Sequence, residues 1–135
     1  MLTTRVPRDW QKQGLRPRVL VIDDDDDVAD VLRQALTEEG YAVATVPHGA
    51  AALEILRLHE PEVILLDLRM PLMDGWSFAE RYRTATGRAP APLILISGVA
   101  DIEIEARRVG ADSYFRKPFD IDELIRAIEH ARAAC

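Results

Sequence analysis

What the 135-residue chain has little of narrows its class first. It holds a single cysteine, Cys135, so no disulfide can form within it, which fits a reducing compartment. Its three histidines, His48, His59 and His130, show no metal-ligand spacing and read as surface helix residues. No apolar run approaches the roughly 20 residues that span a bilayer, and Met1 to Arg5 carry no apolar signal-peptide core. The expected location is therefore the cytoplasm, with no membrane partner. Internal repeats and low-complexity segments are missing, apart from the run Asp23 to Asp27. Positive charge is scarce in the body: net charge is −6, and Arg5, Arg8, Lys12 and Arg16 in residues 1–17 stand against Asp9 alone, leaving the remainder near −9. Duplex binding depends on neutralising phosphates, so nucleic acid is not expected as a direct partner.

What is present is the make-up of one folded domain, with 48% hydrophobic and 30% charged residues. The organising stretch is Val63 to Gly75, in which the apolar run Val63-Ile64-Leu65-Leu66 ends on Asp67, with Pro71 and Gly75 beyond it. An unbroken short apolar run that ends on acid reads as a buried parallel strand carrying a carboxylate to its C-terminal end. Open α/β sheets keep their sites at that end. The same grammar occurs at Val19 to Ile22, followed by Asp23 and Asp24. Pro92 to Ser97 ends on a hydroxyl, and Asp112 to Pro118 carries Lys117, so carboxylates, hydroxyl and ammonium would share one rim.

Between these runs lie helical patterns. Val28, Val31, Leu32, Ala35 and Leu36 fall on one expected apolar face, and Gly40 ends that helix. Tyr41 to Val46 reads as a strand, and further helices are expected at about His48–His59, Trp76–Thr86, Ala100–Val109 and Ile121–Ala133, the last capped by Asp120. Phe78, Ala79 and Tyr82 are expected to face inward, as are Ile102, Ala106 and Val109, and Leu124, Ile125 and Ile128. Residues 1–17, with Pro7, Gly14 and Pro17 and no sustained periodicity, read as a loose basic arm that Trp10 could pin in part. Five strands alternating with five helices suit a flavodoxin-like, doubly wound parallel sheet of order 2-1-3-4-5 with helices on both faces.

The order Val21-Ile22-Asp23-Asp24, then Leu65-Leu66-Asp67-Leu68-Arg69-Met70-Pro71-Leu72-Met73-Asp74-Gly75, then Ile96-Ser97-Gly98, then Arg116-Lys117-Pro118-Phe119 resembles the receiver domain of two-component response regulators. The resemblance covers residues 18 to about 133 and gives a domain of 18–135 after the arm. It implies a phosphoprotein in a signalling phosphorelay. A sensor histidine kinase or histidine phosphotransfer protein would donate the phosphoryl group, and Asp67 would accept it. It further implies Mg²⁺ held directly by Asp24, through water by Asp23, and by Asp67 and the Arg69 backbone carbonyl. Ser97 and Lys117 would bind the phosphoryl oxygens, and Ser97 and Tyr114 would form the switch. Output would leave through the face of helix 4, strand 5 and helix 5, to an effector protein or a second copy. Such a domain catalyses only its own phosphorylation and dephosphorylation. With no output segment after Ala133, the sequence reads as a single-domain regulator or an excised receiver.

The residues themselves support that chemistry. A carboxylate attacks phosphorus once nearby charge is neutralised, and Asp23, Asp24 and Asp67 together would attract a hard divalent cation such as magnesium. Asp25, Asp26 and Asp27 more naturally begin the helix, since acid is favoured at its N-terminus. Two departures stand out: serine at 97 replaces the commoner threonine, and the Ser97–Lys117 segment is about two residues short of the family pattern. Asp24-x-Asp26-x-Val28 also fits the nucleophile motif of haloacid-dehalogenase-type phosphatases, which would make this a small magnesium-dependent enzyme but leave Asp67 to Gly75 unexplained. A calcium-loop reading of Asp23-x-Asp25-x-Asp27 fails, because Val28 stands where glycine is needed and Gln34 where the bidentate glutamate belongs. A receiver-shaped binding module that works without phosphate is the remaining alternative.

Overall fold

The computed structural model describes residues 4–11, 16–68, 74–85 and 91–133. Strands β1 (Arg18–Ile22), β2 (Ala42–Val46), β3 (Val63–Leu66), β4 (Leu93–Ser97) and β5 (Ser113–Arg116) alternate with helices α1 (Asp26–Glu38), α2 (Gly49–Leu56), α3 (Gly75–Ala85), α4 (Ile102–Val109) and α5 (Ile121–Ala133). The sheet order is β2-β1-β3-β4-β5, as expected, and every neighbouring pair is parallel. Because side chains alternate across a strand, the apolar runs feed two cores. Leu20, Ile22, Ile64, Leu66 and Leu95 pack with Phe78, Ile102 and Ala106 on one face, while Val19, Val21, Leu65, Ile94 and Ile96 pack with Leu32, Leu36, Leu124 and Ile128 on the other.

Local signals account for most element ends. The Asp25 carboxylate caps α1 by accepting from the N–H groups of Asp27 at 3.0 Å and Val28 at 3.2 Å, and Asp120 does the same for Asp122 and Glu123 at the head of α5. His48 caps α2, its Nδ1 accepting from Ala51 N–H at 3.1 Å. Helix α4 ends on Gly110 at φ +70°, a left-handed conformation that a side chain resists.

Three expectations need correction. His48 and His59, read as surface helix residues, are instead the N-cap of α2 and a half-buried residue past its end, edge-on to the Trp10 ring. Val31, placed on the inner face of α1, is 60% exposed. Ala29, Leu32 and Leu36 define the buried stripe, and at 3.6 residues per turn Val31 falls well off it. The arm, read as loose except where Trp10 could pin it, is seated over its described residues 4–11, with Trp10 the pin. Trp10 is 0% exposed and its Nε1 donates to the Ala42 carbonyl at 2.9 Å. The Arg18 guanidinium lies over the Trp10 ring and donates to the Trp10 carbonyl. Arg5 and Thr45 exchange two 2.8 Å backbone hydrogen bonds as an antiparallel bridge on the outer edge of β2. The bridge does not extend, because Pro7, next in register opposite Val43, has no N–H, and its carbonyl accepts instead from Trp10 N–H.

Candidate functional site

The rim is built by the sheet's own ladders, which run one residue past the strands. Asp23 N–H donates to the Val46 carbonyl at 3.1 Å, and Asp67 N–H to the Ile22 carbonyl at 2.9 Å, so the two aspartates end adjacent strands side by side. Lys117 N–H donates to the Ser97 carbonyl at 2.9 Å, which brings β5 to the same level. The Lys117–Pro118 peptide is cis.

Asp23, Asp24 and Asp67 each offer a carboxylate oxygen within 4.8 Å of the others. Asp23 and Asp67 are buried and Asp24 is half-buried. Lys117 is the counter-charge: its Nζ lies 2.8 Å from Asp23 Oδ2 and 3.7 Å from Asp67 Oδ2. The other Asp23 oxygen accepts from Asp25 N–H at 2.9 Å. Burial pushes the Asp23 carboxyl above its ordinary value, with the hydrogen bonds from Lys117 and Asp25 opposing and the charge of Asp24 adding to the rise. Burial alone would lower Lys117, but its hydrogen bond to Asp23 and the charges of Asp23, Asp67 and Asp25 together raise it, so the ammonium stays charged.

Three carboxylates against one ammonium leave a net negative, oxygen-only pocket, the donor set that suits a small hard cation. Ser97 is buried, and its hydroxyl accepts from Val99 N–H at 3.3 Å. Tyr114, by contrast, is 42% exposed on β5, opposite Leu95. Arg69, expected to lend its carbonyl, lies outside the described residues, as do Met70 to Met73.

Asp74, Gly75 and Arg116, quoted above only as parts of motifs, take structural roles that the sequence reading did not assign. Gly75 rests on the site's backbone: its N–H donates to the Leu68 carbonyl at 2.9 Å, and a Cβ there would stand 2.8 Å from both the Asp67 carbonyl and Leu68 Cα. Asp74 caps the same turn by accepting from Ser77 N–H at 2.8 Å, and the neighbouring Trp76 indole donates to the Glu105 carboxylate on α4. The spacing of Asp67 to Asp74 and Gly75 was the signal for the first two. Arg116 was not singled out either. From β5 its Nη1 donates to the carbonyls of Val99 and Ala100, both at 2.9 Å, and no sequence pattern announces a contact set by strand pairing.

The chain is similar to known proteins over most of its length. The family model described as the response regulator receiver domain matches residues 19–129. Regulatory protein AtoC of Escherichia coli (strain K12) is 37% identical over 116 residues, covering 84% of this chain and 25% of AtoC, so the chain spans about a quarter of that relative's length. Among solved structures, the Francisella response regulator 1452 receiver domain superposes with TM-score 0.79 at 32% identity, over 87% of this chain and 98% of that one. The response regulator TrrA of Thermotoga maritima, in complex with Mg²⁺ and BeF, superposes with TM-score 0.73 at 28% identity, over 85% of this chain and 98% of that one.

Proposed function

Since the chain belongs to the response regulator receiver domain family, we propose that Asp67 is its phosphoacceptor, taking a phosphoryl group from a phosphohistidine of a sensor histidine kinase or a histidine phosphotransfer protein in the cytoplasm. Receiver domains are signalling modules, not typical turnover enzymes. The observation that carries the assignment is the placement of Lys117, its Nζ 3.7 Å from Asp67 and 2.8 Å from Asp23, beside three converging carboxylates.

The residues divide the work. An Asp67 carboxylate oxygen attacks phosphorus as the P–N bond to the donor imidazole breaks, and the bonding pair leaves with the imidazole. Lys117 is charged and already beside Asp67, so it meets the phosphoryl oxygens without a change of protonation. Ser97 can donate its hydroxyl proton to one of those oxygens while its lone pair keeps or releases Val99 N–H. Asp23, Asp24 and Asp67 fit Mg²⁺, which when bound offsets the negative charge that would repel the donor. The modified domain then favours a second arrangement of the surface made by α4, β5 and α5, where Tyr114 is exposed, and presents it to an effector or a second copy.

Acetyl phosphate with magnesium is expected to label the protein once, and Asp67→Asn to abolish the label. Label that survives in Asp67→Asn but vanishes in Asp24→Asn would move the nucleophile to the aspartate run and restore the phosphatase reading.

A further inference from the structure

The loop that follows Ser97 is held by a clamp from the neighbouring strand. Ser97 pairs with Arg116 across β4 and β5, and the single Nη1 of Arg116 donates one hydrogen bond to each of the Val99 and Ala100 carbonyls, both at 2.9 Å. A guanidinium nitrogen carries two hydrogens, so both bonds are available at once. Helix α4 starts at Ile102, two residues on, and its N-cap position Asp101 makes no side-chain capping bond. Ile102, Ala106 and Val109 pack into the core, and among the described residues the side-chain hydrogen bonds of the helix to other elements run to α3, from the Trp76 indole to Glu105 and from the Arg83 guanidinium to the Val109 carbonyl. Among the described residues, Arg116 is thus the side chain that ties the β4–α4 loop to β5.

Gly98 adds to the picture. Its φ is not positive, and a Cβ there would meet nothing within 4 Å. The conformation seen does not require glycine at that position, whereas a loop that must visit another one gains from it.

We propose that Arg116 is a positioning residue that holds the Ser97 loop in its resting place and so opposes phosphoryl capture at Asp67. The inference rests on the phosphoacceptor reading above. When the Ser97 hydroxyl turns to the phosphoryl group, the Val99 and Ala100 carbonyls move with their loop and the fork must release. The clamp is a tax on the modified state, set by the difference in its bonding between the two arrangements.

The test is Arg116→Ala, titrated with beryllofluoride in saturating magnesium and, separately, with magnesium alone. Without the clamp, beryllofluoride is expected to bind about threefold to tenfold tighter, the net worth of a hydrogen bond expressed as an affinity ratio. Magnesium affinity should change little. Simple charge removal predicts the opposite pattern, with the anion weaker and the cation tighter, so that result overturns the clamp. Equal beryllofluoride affinity in variant and wild type overturns it as well. If wild type fails to bind beryllofluoride at all, the phosphoacceptor reading falls, and the clamp is judged by hydrogen exchange of the unliganded proteins. Faster exchange at residues 98–102 in Arg116→Ala supports the clamp, and unchanged exchange there refutes it.

Discussion

The sheet ends on β2 at one side and on β5 at the other, and the two edges meet solvent in opposite ways. All five residues of β2 are buried, and its outer edge is closed by the Arg5–Thr45 bridge, with Trp10 seated beneath Ala42. Strand β5 alternates half-buried and exposed residues, leaving Tyr114 in solvent. An unpaired edge is a template for association and is usually blunted. The chain blunts the first with its own arm and the second with short length and a polar outer face. The contrast teaches where motion is permitted: the closed edge is welded to the core, while the open one can change its contacts at little cost to packing.

The largest effect should come from the closed edge. Trp10→Ala is expected to cost about 3–5 kcal/mol in urea unfolding, the range for emptying a buried aromatic site. A loss under about 1 kcal/mol, the scale of an ordinary substitution, would return residues 4–11 to the loose arm read from sequence and erase the contrast.

A smaller effect is expected on the rim that joins the edges. Magnesium at a hundredfold excess over its dissociation constant should stabilise the protein by about 2.7 kcal/mol, with chelator reversing the gain and Asp24→Asn removing most of it. Because burial holds the Asp23 carboxyl above its ordinary 3.8, protons compete with the cation from a higher pH than for an exposed aspartate, and the gain should fade on acidification through that raised value. A melting curve indifferent to magnesium would count against the carboxylate cluster as a cation site.

The smallest stability change belongs to the open edge. Tyr114→Ala should shift unfolding by no more than about 0.5 kcal/mol, as for other surface positions. Beryllofluoride is expected to alter hydrogen exchange most, outside the site, between residues 98 and 116, and the variant should blunt that response. Changes confined to residues 23–27 and 67–75 would mean that no signal leaves through β5.

Much of this was readable beforehand, and for a physical reason. Strands β1, β3 and β4 are buried on both faces, so their apolar runs are unbroken and the residues that end them, Asp23, Asp67 and Ser97, declare their positions on the rim. Lys117 and the caps at Asp25 and Asp120 follow from equally local rules. Contacts made by the fold as a whole were hidden. Nothing near Trp10 in sequence foretells Ala42, and Arg116 reads as one more charged residue until β5 lies beside β4. Val31 was misplaced because five apolar residues make a broad stripe, and only the way α1 is turned about its axis, with Ala29 inward, decides which of its flanks stays outside.

The seating of Trp10 also has a kinetic side. Its hydrogen-bond partner is 32 residues away along the chain, and Arg5 needs Thr45 already in its strand, so the arm can dock only after β1 and β2 have paired. Contacts that form after the folding barrier leave the rate of folding nearly untouched and act on the reverse step. Docked past that barrier, the arm would act as a brake on unfolding, lengthening the life of the native domain without hastening its birth.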